Sequence, residues 1–319
     1  MAAVADRLTR IMAQPGQVGE AVRNALELGY RHIDCAAAYG NEAEIGDVLS
    51  DVLGSGSVAR EDLFVTSKLW NSEHQPKDVL PALQQTLRDL KLDYVDLYLI
   101  HWPQNFAKQE EGNSSTPRHP DGSIVYDFET TTMETWRAME ALVSMGLTRA
   151  IGLSNFNEDQ INEIITHGTI KPAMLQVEIH PYFVQQELST FCAKHHIGLT
   201  AYSPLGSGNA IDGMTVVEHP VLVDIGNRYG KSPAQVVLAW LLQRNIVVIP
   251  KSVTAERIAA NIEVAFELSA DEMSAVSSLD KGFRNGWGGP QVERDGEMQP
   301  RDLEHPLYVS PLLWTIFNA

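Results

Sequence analysis

The chain has 319 residues, 44% hydrophobic and 20% charged, enough for a sizeable core beneath an ordinary globular surface. Its formal net charge of −17 argues against nucleic acid and anionic membrane surfaces as partners, so an anionic ligand must be held by a local basic cluster. Two cysteines, Cys35 and Cys192, with no CxxC spacing and no run of 18 apolar residues, exclude a disulfide framework, a zinc ribbon and a membrane span, and fit a cytoplasmic setting.

In chain order, residues 1–16 carry Arg7 and Arg10 but no apolar core of a secretion signal and no clear strand. Val18, Ala21, Val22, Ala25 and Leu26 line one helical face, and Gly29 is placed to stop that helix. A β-rich run follows at Tyr30–Asp34 and another at Leu63–Leu69. Between them Gly54–Ser57 reads GSGS, but it follows a helix rather than a strand and so is no dinucleotide fingerprint. Val79, Leu83, Leu87 and Leu90 form a second helical face before the run Val95–His101. Residues 103–131, polar and including Pro117, Pro120 and Gly122, predict a long loop.

Further strands are predicted at Arg149–Leu153, Met174–Ile179, Gly198–Tyr202 and Val247–Pro250. Asn157 with Gln160 forms a capping box ahead of Ile161, Ile164 and Ile165, and Ser232-Pro233 opens another helix. Residues 203–218 and 281–319 read as a second loop and a tail. In Met174–Ile179, Leu175, Val177 and Ile179 share one face while Gln176 and Glu178 share the other. Such polar side chains either meet a ligand or are hydrogen-bonded away.

Strands alternating with helices imply parallel pairing with helices outside the sheet. Eight units would close a (β/α)₈ TIM barrel. Seven strands are visible, so the first is atypical or missing, and no linker divides residues 1–319 into domains. Asp34, Tyr39, Lys68 and His101 fall at or just after the carboxyl ends of three successive strands, which converge on one face in such a fold. An ammonium beside a phenol favours phenolate and lowers its pKa, and a carboxylate keeps that ammonium charged. Asp34, Lys68 and Tyr39 supply that chain, and His101 can hydrogen-bond the same reacting oxygen. The set suits protonation of an oxygen on which negative charge develops. Lys251 and Arg257 flank Ser252 and Thr254 where a strand hands over to a helix, a favourable anion site.

Eight ordered stretches resemble the motifs of the aldo-keto reductases. They are Tyr30-Arg-His-Ile-Asp34, Tyr39-Gly-Asn-Glu42, Thr66-Ser-Lys-Leu-Trp70, Leu99-Ile-His-Trp-Pro103, Gly152-Leu-Ser-Asn-Phe156, Leu175-Gln-Val-Glu-Ile-His-Pro181, Ala201-Tyr-Ser-Pro-Leu-Gly206 and Ile249-Pro-Lys-Ser-Val-Thr254. Pro300-Arg-Asp-Leu-Glu-His-Pro306 is most similar to the aldehyde reductase branch. The resemblance implies NADPH (NADP⁺) bound without a Rossmann domain and hydride transfer from the nicotinamide C4 to the carbonyl carbon of a small molecule. It implies Tyr39 as acid, Lys68 and Asp34 as its tuners, and His101 as the group orienting the carbonyl. Ser154, Asn155 and Gln176 match residues that hold the carboxamide, and Tyr202 matches the ring stacked on nicotinamide. Ser203, Leu205 and Ser207 match part of a loop over the pyrophosphate. Lys251, Ser252, Val253, Thr254, Arg257 and Asn261 match the 2′-phosphate and adenine site. Trp70 and Trp102 would wall an apolar substrate slot, and Arg301 would meet a substrate carboxylate.

The sequence departs from the pattern where the first strand usually carries Gly-Thr-Trp, which here reads Leu8-Thr-Arg-Ile-Met-Ala-Gln14. Ala260 stands where many members carry a carboxylate near adenine, and Gly208–Thr215 lacks an aromatic residue that many place near substrate. The expected activity is reduction of aldehydes or ketones by a monomer needing no metal. Alternatives are a catalytically weak nucleotide-binding barrel serving as a sensor or interaction subunit, and an isomerase or aldolase with Lys68 as Schiff-base nucleophile.

Overall fold

The computed structural model describes residues 16–108, 116–119, 123–284, 291–294 and 297–300. The chain groups into two units, Met1–Ala173 and Met174–Ala319.

The first unit is built on four parallel strands in sequential order: β1 (His32–Asp34), β2 (Phe64–Leu69), β3 (Val95–Ile100) and β4 (Thr148–Ser154). Its helices are α1 (Gln17–Glu27), α2 (Glu42–Gly54), α3 (Pro76–Leu90), α4 (Thr132–Ser144) and α5 (Glu158–His167). Every residue of β3 is buried, as expected of a strand covered on both faces. The register sets Asp34 opposite Thr66 and Lys68 opposite Leu99. Because side chains alternate along a strand, Thr66 and Lys68 share a face, and so does Asp34 across the pair.

Strand β1 starts at His32, two residues later than the sequence suggests. Gly29 takes φ 97°, its N–H bonds the Leu26 carbonyl, and the Tyr30 N–H bonds the Ala25 carbonyl. This is a Schellman closure of α1, so Tyr30 spends its amide on the helix rather than on the sheet. The expected capping box closes α5: Asn157 accepts from Gln160 N, and Gln160 accepts from Asn157 N.

The second unit carries three parallel strands, β5 (Met174–Glu178), β6 (Gly198–Tyr202) and, beside β6, β9 (Ile246–Val248). A small hairpin, β7 (Ala210–Ile211) with β8 (Met214–Thr215), fills the predicted 203–218 loop. The helices are α6 (Gln186–His195), α7 (Pro220–Tyr229), α8 (Pro233–Gln243), α9 (Ala255–Ile262) and α10 (Ala270–Ser277). Helix α8 opens with the Ser232–Gln235 capping box and Pro233 in its first turn, and then buries Val236 through Leu241. Strand β9 ends before Pro250, whose missing N–H cannot continue a ladder. A second hairpin pairs β10 (Gln291–Arg294) with β11 (Glu297–Pro300). The segment Leu8–Met12, proposed for the first strand, lies outside the described residues, as do Pro120, Gly122 and most of the 281–319 tail.

Helices α2 and α3 approach closely at Gly46. A Cβ there would stand 2.0 Å from the Asp89 carbonyl oxygen and 2.8 Å from the Leu90 Cα, both backbone atoms. Replacing a mid-helix glycine with alanine ordinarily gains about 1 kcal/mol. At Gly46 the overlap reverses the sign: Gly46→Ala is expected to lower the unfolding free energy by about 1–3 kcal/mol, read from the urea midpoint.

Candidate active site

Asp34, Tyr39, Lys68 and His101 all lie in the first unit. Lys68, 0% exposed, points from β2 into a set of three partners. It donates to Asp34 Oδ1 and to the Cys35 carbonyl oxygen at 2.9 Å, and the Tyr39 ring lies beside it. Burial alone pulls its pKa down, but Asp34 and Tyr39 together outweigh that, and the net pKa is raised. Lys68 is therefore a permanent charge.

Tyr39 sits in a short 3₁₀ turn, Ala37–Tyr39, directly after β1, closed by Gly40 at φ 65°. The residue is 40% exposed, and Lys68 Nζ lies 5.1 Å from the ring centroid. The hydroxyl is the sheltered end. Burial raises the phenol pKa most strongly, Lys68 lowers it and Asp34 raises it, and the net direction is up. The expected lowering by Lys68 is present but does not win. Near neutrality Tyr39 is thus a protonated phenol.

His101 follows β3, with its ring edge-to-face against Tyr39 at 5.8 Å and Trp70 at 5.2 Å. Burial first, then the charge of Lys68, holds its pKa well below the ordinary value, so it is neutral. Its Nδ1 is buried without a hydrogen-bond partner. Asn155, at φ 66°, gives its side-chain amide to the His101 carbonyl at 2.9 Å and to Ser154 Oγ at 3.1 Å. That pair fixes the backbone after β3 against the end of β4.

The predicted 103–131 loop folds back over this group. Phe106 bridges Tyr126, and Trp70, Phe106 and Ile124 form an apolar cluster with Ala38, Trp102 and Tyr126 packed against it. Trp70 and Trp102 thus stand together beside His101. The loop's stem is polar. His74 Nδ1 meets Asn105 Oδ1, Asn105 Nδ2 bonds the Thr130 carbonyl, and the Asp127 N–H bonds the Asn105 carbonyl. Burial lowers the His74 pKa to about 4 despite the Asn105 bond, so it too is neutral.

In the second unit Gln176 is buried on β5, and Tyr202 is half-buried at the end of β6. Glu178, on the same face as Gln176, is hydrogen-bonded away: His180 Nε2 donates to it at 2.8 Å, while His180 Nδ1 accepts from Tyr182 N. Ser203 and Ser207 both take positive φ and share a 2.9 Å hydroxyl bond, with Leu205 half-buried between them. The start of α9 has Thr254 as N-cap with no side-chain cap bond to its first N–H groups. Lys251, Val253 and Arg257 are exposed there, with Ser252, Thr254 and Asn261 half-buried. Arg257 donates to Thr254 Oγ1, and burial lowers the Lys251 pKa. Two cations and open helix amides suit an anionic group. Arg301 lies outside the described residues.

Two contributors escaped the sequence reading. The Cys35 carbonyl is a backbone atom and leaves no trace in residue type. Glu42 entered only as the last residue of the Tyr39–Glu42 stretch, yet it is buried.

The aldo/keto reductase family model matches residues 12–281 of this chain. The chain belongs to that family. Among aldo/keto reductases it is 52% identical to aldo-keto reductase family 1 member A1 of Gallus gallus over 302 residues, 93% of this chain and 90% of that protein. The Homo sapiens protein of the same name is 50% identical, covering 93% and 91%. The solved aldose reductase from Schistosoma japonicum is 44% identical with a TM-score of 0.80, covering 85% of this chain and 87% of that one. The fold class is accordingly the α/β, (β/α)₈ type expected. This aldo/keto reductase is an oxidoreductase acting on carbonyl groups of small molecules with a nicotinamide cofactor. No helix among the described residues is long and apolar enough to cross a membrane.

Removing Lys68 leaves the Asp34 carboxylate, whose side chain is 9% exposed, without its counter-charge. Lys68→Met is expected to cost about 3–5 kcal/mol in unfolding free energy. A urea midpoint close to that of the parent would show that the pair is solvated.

Proposed function

We propose that the chain reduces aldehydes and ketones to alcohols with NADPH, Tyr39 serving as general acid. The observation that carries this reading is the fully buried ammonium of Lys68, bonded to a carboxylate and 5.1 Å from the centroid of the Tyr39 ring. Bound NADPH supplies a hydride to the carbonyl carbon. The rest falls to the protein. Tyr39 gives its proton to the carbonyl oxygen as charge develops there, and the phenolate left behind lies against the Lys68 ammonium. Asp34 keeps that ammonium charged. Neutral His101, flanked by the Tyr39 and Trp70 rings, donates a hydrogen bond to the carbonyl oxygen and sets the substrate's approach. Trp70 and Trp102 favour apolar or aromatic carbonyls.

The residues suit the cofactor. Lys251 and Arg257 with the open amides of α9 favour the adenosine 2′-phosphate, which selects NADPH over NADH. Ser154, Asn155 and Gln176 remain assigned to the carboxamide, Tyr202 to the nicotinamide ring, Ser203, Leu205 and Ser207 to the pyrophosphate, and Ser252, Val253, Thr254 and Asn261 to the adenosine end.

The raised pKa of Lys68 speaks against a Schiff-base role, because a lysine nucleophile needs its pKa lowered.

Tyr39→Phe is expected to cut turnover of an aromatic aldehyde roughly 10²- to 10⁴-fold while NADPH still quenches protein fluorescence normally. Undiminished turnover would remove Tyr39 from the role of acid. Arg257→Ala is expected to weaken NADPH binding about tenfold, or about 1.4 kcal/mol, and to leave NADH unchanged in the same titration. Equal loss for both cofactors would contradict the 2′-phosphate assignment.

A further inference from the structure

Behind the acid–base group lies a second buried carboxylate that the reaction does not use. Glu42 is the first residue of α2, three positions after Tyr39, and is 5% exposed. Ser67 Oγ donates to its Oε1 at 2.5 Å, and Thr86 Oγ1 donates to its Oε2 at 3.0 Å. Ser67 precedes Lys68 on β2, and Thr86 lies on α3. Side chains alternate along a strand, so Ser67 faces the helix layer while Lys68 faces the opposite side. Glu42 therefore ties the chain segment carrying the phenol to the strand carrying the ammonium, from the far side of the sheet.

Helix packing does not explain this carboxylate. The α2–α3 contact is already fixed one turn later, where Gly46 lies against the Asp89–Leu90 backbone. A hydrophobic side chain at position 42 would fill the same interface without the desolvation cost of a carboxylate. No lysine or arginine forms an ion pair with Glu42 among the described residues, and burial raises its pKa against the two hydroxyl bonds. What a carboxylate adds is two directional acceptors, one on each neighbouring element.

We propose that Glu42 is a positioning residue for the proton transfer, setting the Tyr39 phenol against Lys68 through its hydrogen bonds to Ser67 and Thr86. This rests on Tyr39 being the acid. Gly40, at φ 65°, and Asn41 join Tyr39 to Glu42, so a shift at Glu42 travels two residues to the phenol. The groups facing that phenol are Lys68, Asp34, Cys35 and His101. Of these, Lys68 alone lowers its pKa, so any drift away from Lys68 raises it.

The test uses the full chain with NADPH and benzaldehyde, with turnover followed across the alkaline range and cofactor binding followed by fluorescence. Glu42→Ala is expected to lower kcat roughly 10- to 100-fold and to move the alkaline limb of its pH profile upward, with NADPH affinity unchanged. Glu42→Gln keeps the side chain's length and can accept from one hydroxyl and donate to the other, so it should recover most of the lost turnover. Wild-type kcat with an unmoved limb in Glu42→Ala would overturn the proposal. So would Glu42→Gln behaving no better than Glu42→Ala, or kcat and NADPH affinity falling together. If Glu42→Ala does not fold, Ser67→Ala decides, since it cuts only the tie to β2: a smaller change in the same direction supports the role, and none overturns it. Tyr39→Phe run in parallel separates the two assignments. Full activity there removes the acid itself, whereas an inactive Tyr39→Phe beside an unaffected Glu42→Ala removes only the positioning role.

Discussion

A charged amine with no exposure to water is the constraint around which the first unit is organised. Taking an ammonium out of water costs several kcal/mol unless charge and hydrogen bonds replace the hydration. For Lys68 that replacement comes from a carboxylate on the neighbouring strand and a main-chain carbonyl just beyond it, with the Tyr39 ring of the following turn beside them. Each requirement reaches back into the fold. Strands β1 and β2 must pair in the register that sets Asp34 beside the Lys68 face, because a slip of one residue would turn the carboxylate away. The chain after β1 must turn at once, which the 3₁₀ turn and Gly40 accomplish.

The same burial governs the character of the phenol. Two opposed influences act on Tyr39, removal from water and the nearby ammonium, and the first is the larger. A weaker dehydration or a second cation would have shifted the balance toward phenolate. In the observed balance the site holds a proton ready to give, which matches the reductive direction proposed. His101 and His74 are driven to the neutral form by burial as well, so Lys68 is the one persistent positive charge among these side chains.

Much of this was legible in the sequence, for identifiable reasons. All seven predicted parallel strands occur, because runs such as Val95–Ile100 are apolar but for Asp96, whose carboxylate Arg60 pairs. Their ends moved by one or two residues where a local hydrogen bond decided the matter, as when the Tyr30 amide closes α1. Asp34, Tyr39, Lys68 and His101 could be grouped because strand ends collect on one face. For Glu178 two outcomes stayed open until His180 was seen to bond it. What could not be read was anything carried by the backbone, as at Cys35, or by burial at a position whose residue type is unremarkable. An acid in the first turn of a helix, such as Glu42, gives no sign in sequence of which way it faces. The same holds for His74 and Asn105, 31 residues apart, whose pairing depends on where a long loop returns.

That return has an evolutionary side. Asn105 and Asp127 are joined main chain to main chain, and the Asn105 side chain reaches Thr130 on one hand and His74 on the other. The long excursion between them leaves and re-enters through a closed neck. Lengthening a loop adds little closure entropy once its ends are pinned. The length of the excursion can therefore change at little cost, while Phe106 and Ile124 hold it in the cluster with Trp70. A chain built this way can change what covers Trp70 and His101 by rewriting one stretch, while Asp34, Tyr39 and Lys68 keep their contacts below.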